Sequence, residues 1–293
     1  MRVRLRNSAN AHYLSKETLM VIAFVNHKGG VGKTTCVLNI GAGLKRQGKS
    51  VLLIDADAQA NLTTSVGLGY DESPNLADVL SERVPMEKAI RYDNVVAPII
   101  PATLELAELE ISLAAQLDGR ERLKRALQSI HTTFDVILID CPPTLHLLTD
   151  NALVAAQEVY IPVMAEFMPM SGLVTLTKHI DRVQRSILNP SLKLAGIIMT
   201  RFHKQKIMCQ TVQQELLERF PNEVFSTVIR ENVAIAESYR MGTDVFQYQE
   251  KSNGAEDYEA LCQEFLQRSL HDGTMQNYRN DNRRNGKHKK EIV

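Results

Sequence analysis

From Lys28 to Thr35 the chain reads Lys-Gly-Gly-Val-Gly-Lys-Thr-Thr, residue types that suit phosphate binding. Gly29, Gly30 and Gly32 around Val31 let backbone N–H groups converge on an anion, and a helix beginning at Lys33 adds its dipole at the same place. The Lys33 ammonium can reach the terminal phosphates of a nucleotide, and the Thr34 hydroxyl can ligate Mg²⁺. Carboxylates complete the inventory. Asp55 and Asp57 follow the apolar run 51–54, and Asp140 follows the apolar run 136–139. An aspartate ending a buried strand well downstream of a phosphate loop is the Walker B arrangement, in which the carboxylate holds Mg²⁺, commonly through water. Thr34, Asp57 and Asp140 are therefore the expected metal-side residues. One position departs from the standard G-x-x-x-x-G-K-[ST] pattern: His27 stands where the first glycine belongs.

These groups need elements to hold them. Val21 to Val25 reads as a buried strand, and the helix after the glycine loop runs through Leu38, Ile40 and Leu44 towards Gly48. Val51 to Ile54 is a second continuous apolar strand, as expected where helices cover both faces of a parallel sheet. Carboxylates at the C-terminal end of such a strand point into the crevice where α/β sheets bind ligands. Pro74 to Ser81 reads as a short helix, Val95 to Ile100 as a third strand, and Thr103–Gln116 and Gly119–Ser129 as helices before the strand ending at Asp140. Further strands are expected at Val159–Met164, Leu194–Thr200 and Val224–Ile229, with helices at Ser171–Ile187, Met208–Phe220 and Glu256–Ser269. Strands alternating with helices indicate an α/β fold with a doubly wound, mostly parallel sheet. The expected organisation is a basic extension over 1–19, one domain over 20–270 and a basic tail over 271–293.

The chain of 293 residues can bury a full core. Its four cysteines (Cys36, Cys141, Cys209, Cys262) show no C-x-x-C spacing, which argues against a zinc site or disulfide framework and for a reducing cytosol. No apolar run approaches the ~20 residues of a membrane span. The net charge of zero conceals a polarity. Arg2, Arg4, Arg6 and Lys16 against Glu17 give residues 1–19 a net +3. Arg279, Arg283, Arg284, Lys287, Lys289 and Lys290 against Asp281 and Glu291 give residues 275–293 a net +4, so the remainder carries −7. Basic ends on an acidic body suit contact with polyanions, or are simply solvated. Residue types alone also leave Lys28 open as a solvated loop lysine and Asp57 as a helix N-cap.

The chain resembles the ParA/Soj branch of the deviant Walker A ATPases, the group that also contains MinD. The resemblance covers roughly Met20 to Gln267. It is carried by Lys28–Thr35, by Val51-Leu-Leu-Ile-Asp-Ala-Asp57 with Gln59 and Asn61, and by Phe134-Asp-Val-Ile-Leu-Ile-Asp-Cys-Pro-Pro143. Weaker support comes from Leu147–Leu153, Ile198–Phe202, Val228–Val233 and Ser252–Glu256. It implies an ATPase that forms a nucleotide-sandwich homodimer, binds double-stranded DNA without sequence preference when loaded with ATP, and is stimulated by a ParB-like partner during plasmid or chromosome segregation. By position, Lys28 reaches across the dimer to the other subunit's phosphates. Lys33 holds the β- and γ-phosphates, Thr34 the Mg²⁺ and Thr35 the α-phosphate. Asp57 positions the attacking water and Asp140 supports the metal. Family position also puts the adenine near Thr200-Arg201 and Arg230–Asn232. Relatives often read Asp-x-Asp-Pro-Gln-Gly-Asn where this chain has Ala58 and Ala60, and Ile-Pro-Arg-Asn where it has Ile229-Arg230-Glu231-Asn232.

The Asn-Lys-x-Asp tetrapeptide of guanine readers is absent, which favours ATP. Candidate DNA contacts are Arg201, Lys204, Lys206, Arg230 and Arg240, with Arg283, Arg284, Lys287, Lys289 and Lys290 in the tail. Such groups contact phosphates rather than read bases. A MinD-like membrane-associated or other cargo-positioning ATPase is the alternative. Membrane docking is disfavoured, because Met275, Tyr278, Ile292 and Val293 in the tail lack helical spacing. An iron–sulfur reductase would need more cluster cysteines than Cys141. The expected location is the cytoplasm, on the nucleoid.

Overall fold

The computed structural model describes residues 19–92, 96–165 and 170–268. Six strands, β1 (Met20–Phe24), β2 (Val51–Asp55), β3 (Ile99–Ile100), β4 (Val136–Asp140), β5 (Glu158–Met164) and β6 (Lys193–Thr200), form one sheet in the order β3-β2-β4-β1-β5-β6. Every pairing is parallel. The helices are α1 (Lys33–Arg46), α2 (Asn61–Ser65), α3 (Leu76–Leu80), α4 (Met86–Ala89), α5 (Glu105–Ala114), α6 (Arg122–Leu127), α7 (Leu147–Ala155), α8 (Met170–Gln184), α9 (Ile207–Arg219), α10 (Val233–Arg240), α11 (Val245–Gln249) and α12 (253–268).

The strands are apolar throughout because successive side chains point to opposite faces and both faces are covered. Ile22, Phe24, Leu53, Leu138 and Tyr160 pack with Val37, Ile40 and Leu44 of α1 and with Leu261 and Phe265 of α12. Val21, Ala23, Leu52, Ile54, Ile137 and Ile139 pack on the other face with residues of α3 to α9. Tyr160 lies edge-on to Phe24, Phe225 and Phe265 at centroid distances of 5.6, 5.5 and 5.6 Å, tying β1 and β5 to the final helix. The central β1 has β4 on one side and β5 on the other, so chain direction across the sheet reverses there. That reversal opens a crevice at the C-terminal ends of the strands, where the glycine loop lies.

Two expected strands differ. Of Val95–Ile100, only Ile99 and Ile100 pair as strand, and Val95 lies outside the described residues. Pro98 and Pro101 bracket that pair and have no N–H to give a ladder, while the Val96 carbonyl accepts from Lys45 Nζ at 2.7 Å. Val224–Ile229 is not a strand: Val224 makes an isolated bridge to Ile197 of β6, and another bridge joins Phe202 to Arg230 just beyond both segments. Its middle amides are taken by a side chain, since Ser226 N and Thr227 N both donate to the Glu264 carboxylate at 2.8 Å. The segment 147–153, noted only as sequence, is the buried helix α7, where Asn151 donates to the Gly119 carbonyl at 2.7 Å and accepts from Leu123 N at 3.1 Å. Apart from Leu19, the extension 1–19 and the tail 271–293 lie outside the described residues, and so do Arg283, Arg284, Lys287, Lys289 and Lys290.

Candidate active site

The glycine loop is held before it is shaped. Asn26, buried at the end of β1, donates to the Pro162 carbonyl at 2.8 Å and accepts from Lys28 N at 3.0 Å. Gly30 and Gly32 take φ of 73° and 93°, the left-handed region that glycine enters without cost. At Gly32 a Cβ would also come within 3.3 Å of Thr200 Cγ2, and the Thr200 hydroxyl faces the Val31 carbonyl at 2.8 Å. Thr200 thus supports the loop from the end of β6. Among the described residues nothing lies within 4 Å of where a Cβ would sit on Gly29 or Gly30. α1 then begins at Lys33 with no capping side chain and no acidic residue in its first turn. Its free N–H groups and dipole are available to an anion. Lys33 is 7% exposed, with Nζ 3.5 Å from the Lys28 carbonyl. His27 is exposed and lies against Gly172 of α8, so the missing glycine leaves room for a side chain pointing away from the loop.

The carboxylates meet this loop from two neighbouring strands. Asp55 and Asp140 are paired in register at the ends of β2 and β4, and both are buried. Asp140 Oδ2 accepts from the Thr34 hydroxyl at 2.6 Å, whereas Asp140 Oδ1 is buried and makes no hydrogen bond among the described residues. Burial first, and the Asp55 charge second, push the Asp140 carboxyl well above the usual carboxylate range. A buried carboxylate oxygen with a spare lone pair beside a threonine hydroxyl fits a hard cation. Among the described residues no group of three or more His, Cys, Asp or Glu side chains is placed to hold a metal by itself.

Residue order alone gives Asp55 no role beyond ending its strand. It accepts from Thr63 N and Thr63 Oγ1 at 2.8 Å and from Asp57 N at 3.1 Å, so it anchors the loop 57–63. Burial raises its carboxyl despite these bonds. The signal was its place at the end of an apolar run, two residues before Asp57. Asp57 lines the crevice, and its Oδ1 accepts from Gln59 N at 3.0 Å. It does not cap α2, whose N-cap is Ala60 at a left-handed φ of 53°. Ala60 occupies the position where glycine is common in the Asp-Pro-Gln-Gly-Asn form of this loop, and its φ explains that preference.

One crevice of about 690 Å³ collects Gly29 to Thr35, Asp57, Thr200, Arg201, Arg230, Asn232 and Arg240, with Tyr239 and Tyr258. Arg201 and Arg230 line it, yet each gives its guanidinium to an acid. Arg201 Nη2 donates to Glu231 at 2.7 Å, and His203 bonds the other Glu231 oxygen, which holds that carboxyl down to about 2. Arg230 forks onto Asp257 at 2.7 and 2.9 Å and reaches Glu256 at 3.2 Å. Asn232 caps α10 by accepting from Ala234 N at 2.9 Å. Lys204 and Lys206 are exposed on the loop before α9, outside the crevice lining.

Comparison with known proteins agrees with this geometry. A family model described as an AAA domain matches residues 19–194. The chain is 36% identical over 259 residues to the chromosome partitioning protein ParA of Caulobacter vibrioides, covering 87% of this chain and 97% of that one. It is 39% identical over 248 residues to the sporulation initiation inhibitor protein Soj of Bacillus subtilis, covering 83% and 97% respectively. Among solved structures, one from Mycobacterium smegmatis, named cobyrinic acid a,c-diamide synthase with bound ADP and magnesium, superposes with a TM-score of 0.75 at 34% identity, covering 85% of this chain and 94% of that one. With the loop, the paired strand-end aspartates and the sheet order already in place, these likenesses show that the chain belongs to the ParA/MinD family of P-loop ATPases, among its ParA/Soj relatives.

Proposed function

We propose that this ATPase is a DNA-partitioning switch: an ATP-bound homodimer that binds double-stranded DNA without sequence preference and is reset by hydrolysis when a ParB-like partner engages it. The observation that carries the chemistry is the crevice lined by an uncapped helix N-terminus, Lys33, Thr34 and Asp57, with Asp140 buried behind Thr34 and bonded to it. ATP and Mg²⁺ are its substrate and metal. Lys33 and the loop amides bind the phosphates, Thr34 and Asp140 hold the metal, and Thr35 reaches the inner phosphate. The metal, when bound, neutralises charge on the phosphates. Asp57 orients the attacking water and would add its charge to the metal side of the site. Phosphoryl transfer needs mainly such positioning and charge placement.

The partitioning role is supported by relatives that carry that name and align over nearly their whole length. Lys28, half-buried at the loop's outer turn, is assigned to the phosphates of the second subunit. Lys204, Lys206 and Arg240 are assigned to DNA phosphates, together with the tail residues. We assign 20–270 to one ATPase domain flanked by basic segments, working in the cytoplasm on the nucleoid. Among the described residues no helix is long and apolar enough to cross a membrane. The test is Asp57→Ala loaded with Mg-ATP. It should form dimers that hold DNA and turn over at a small fraction of the wild-type rate, and wild-type turnover would move the water-orienting role elsewhere.

A further inference from the structure

Helix α10 runs along the crevice and connects its two ends. Ile235, Ala236, Tyr239 and Arg240, together with the N-cap Asn232, all line the crevice. Spacings of three and four place them on one face of the helix. The N-cap end follows Ile229, Arg230 and Glu231 on the side expected to receive the base. Seven residues further on, about 10 Å along the axis, the Tyr239 hydroxyl lies 3.2 Å from both the carbonyl and side-chain oxygens of Asn61. Asn61 is the first residue of α2 and closes the loop that carries Asp57. That loop is tight, since Ala60 N donates to the Asp57 carbonyl at 2.9 Å and Gln59 N to the Asp57 carboxylate at 3.0 Å. Its inner side is fixed by Asp55 through Thr63. Tyr239 contacts its outer side.

The far end of α10 also packs near α2. Gly242 approaches Gly67 so closely that a Cβ on Gly242 would sit 3.2 Å from the Gly67 backbone N and Cα. The turn after α10 therefore packs closely on the turn after α2. The phenol has one proton to donate, to either Asn61 oxygen, and neither residue belongs to the phosphate cradle.

From these contacts we propose that Tyr239 is a positioning residue for hydrolysis. Its hydroxyl holds Asn61, and through it the Asp57 loop, in the arrangement that orients the attacking water. This rests on the reading of Asp57 given above. Removing the hydroxyl leaves phosphate binding intact and loosens only the water-side geometry, to which rates are most sensitive. The net worth of one hydrogen bond corresponds to a roughly threefold to tenfold loss of rate.

The experiment compares the full-length wild type, Tyr239→Phe and Asp57→Ala, each with Mg-ATP, measuring kcat, KM, ADP affinity and melting temperature. Tyr239→Phe is expected to lower kcat by roughly threefold to tenfold while KM and ADP affinity stay at wild-type values and the melting temperature falls by no more than about 4 °C. An unchanged kcat, or a loss shared by affinity and melting temperature, overturns the proposal, the latter by making Tyr239 a packing residue. Asp57→Ala separates the two levels. If it turns over normally, the Asp57 reading fails and the inference fails with it. If it is inactive and Tyr239→Phe keeps wild-type kcat, the inference alone fails.

Discussion

The Thr34 hydroxyl donates to Asp140 Oδ2 at 2.6 Å, joining residues 106 positions apart in the chain. Parallel pairing of β1 with β4 puts Asp140 level with Phe24, at the point where the phosphate loop begins. The bond satisfies one carboxylate oxygen and leaves Oδ1 buried without a hydrogen-bond partner among the described residues. In the absence of a cation this is a costly place for a negative charge, because burial strips it of water and Asp55 lies beside it.

Asp140→Asn keeps an oxygen for Thr34 and removes the charge. The nucleotide-free variant should melt no lower than wild type, whereas Mg²⁺-dependent turnover should fall by about tenfold or more. Thermal melting and phosphate release check both. A lower melting temperature together with intact turnover would make Asp140 a structural residue.

Lys33→Ala removes a nearly buried ammonium from the head of α1. Nucleotide affinity should drop by about two orders of magnitude or more, the usual penalty for deleting one partner of a desolvated charge pair. Titration with a fluorescent ATP analogue measures this, and near-normal affinity would remove Lys33 from the phosphate site.

Glu231 neutralises Arg201 at the rim of the crevice. Glu231→Gln frees that guanidinium, so DNA affinity at neutral pH should rise, and the salt dependence should steepen by about 0.9 log units for each phosphate gained. The same pair gives a pH signature. Arg201 and His203 lower the Glu231 carboxyl from 4.5 to about 2, so its contribution to stability is complete above pH 4.5 and is lost as pH falls towards 2. The melting difference between wild type and Glu231→Gln should be present at about pH 5 and close as pH falls below 4.5. A difference that grows on acidification would reverse the assigned sign. Both side chains are largely exposed, so the difference is small.

Much of this site could be read from residue order. The glycine loop, Lys33, Thr34 and the aspartates at strand ends are local signals, because a continuous apolar run followed by a carboxylate specifies both a buried strand and the end that faces the crevice. What the sequence did not disclose depends on distant partners. Val224–Ile229 has the apolar pattern of a strand, but Glu264 on α12 takes the amides that a ladder would need. Arg201 and Arg230 read as free cations until Glu231 and Asp257 are found against them. Asp55 looked like strand ending, and only the Thr63 contacts reveal it as the anchor of the Asp57 loop. α10 went unrecognised as a helix because its eight residues carry mixed polarity, with Val233 exposed and Ala234 buried.

The most direct test is DNA binding by the full-length protein measured with ATP, with ADP and without nucleotide, on duplexes of unrelated sequence. Binding should be tight only with ATP, indifferent to sequence and steeply weakened by salt. Equal binding in all three states, or none with ATP, would contradict an ATP-gated DNA switch.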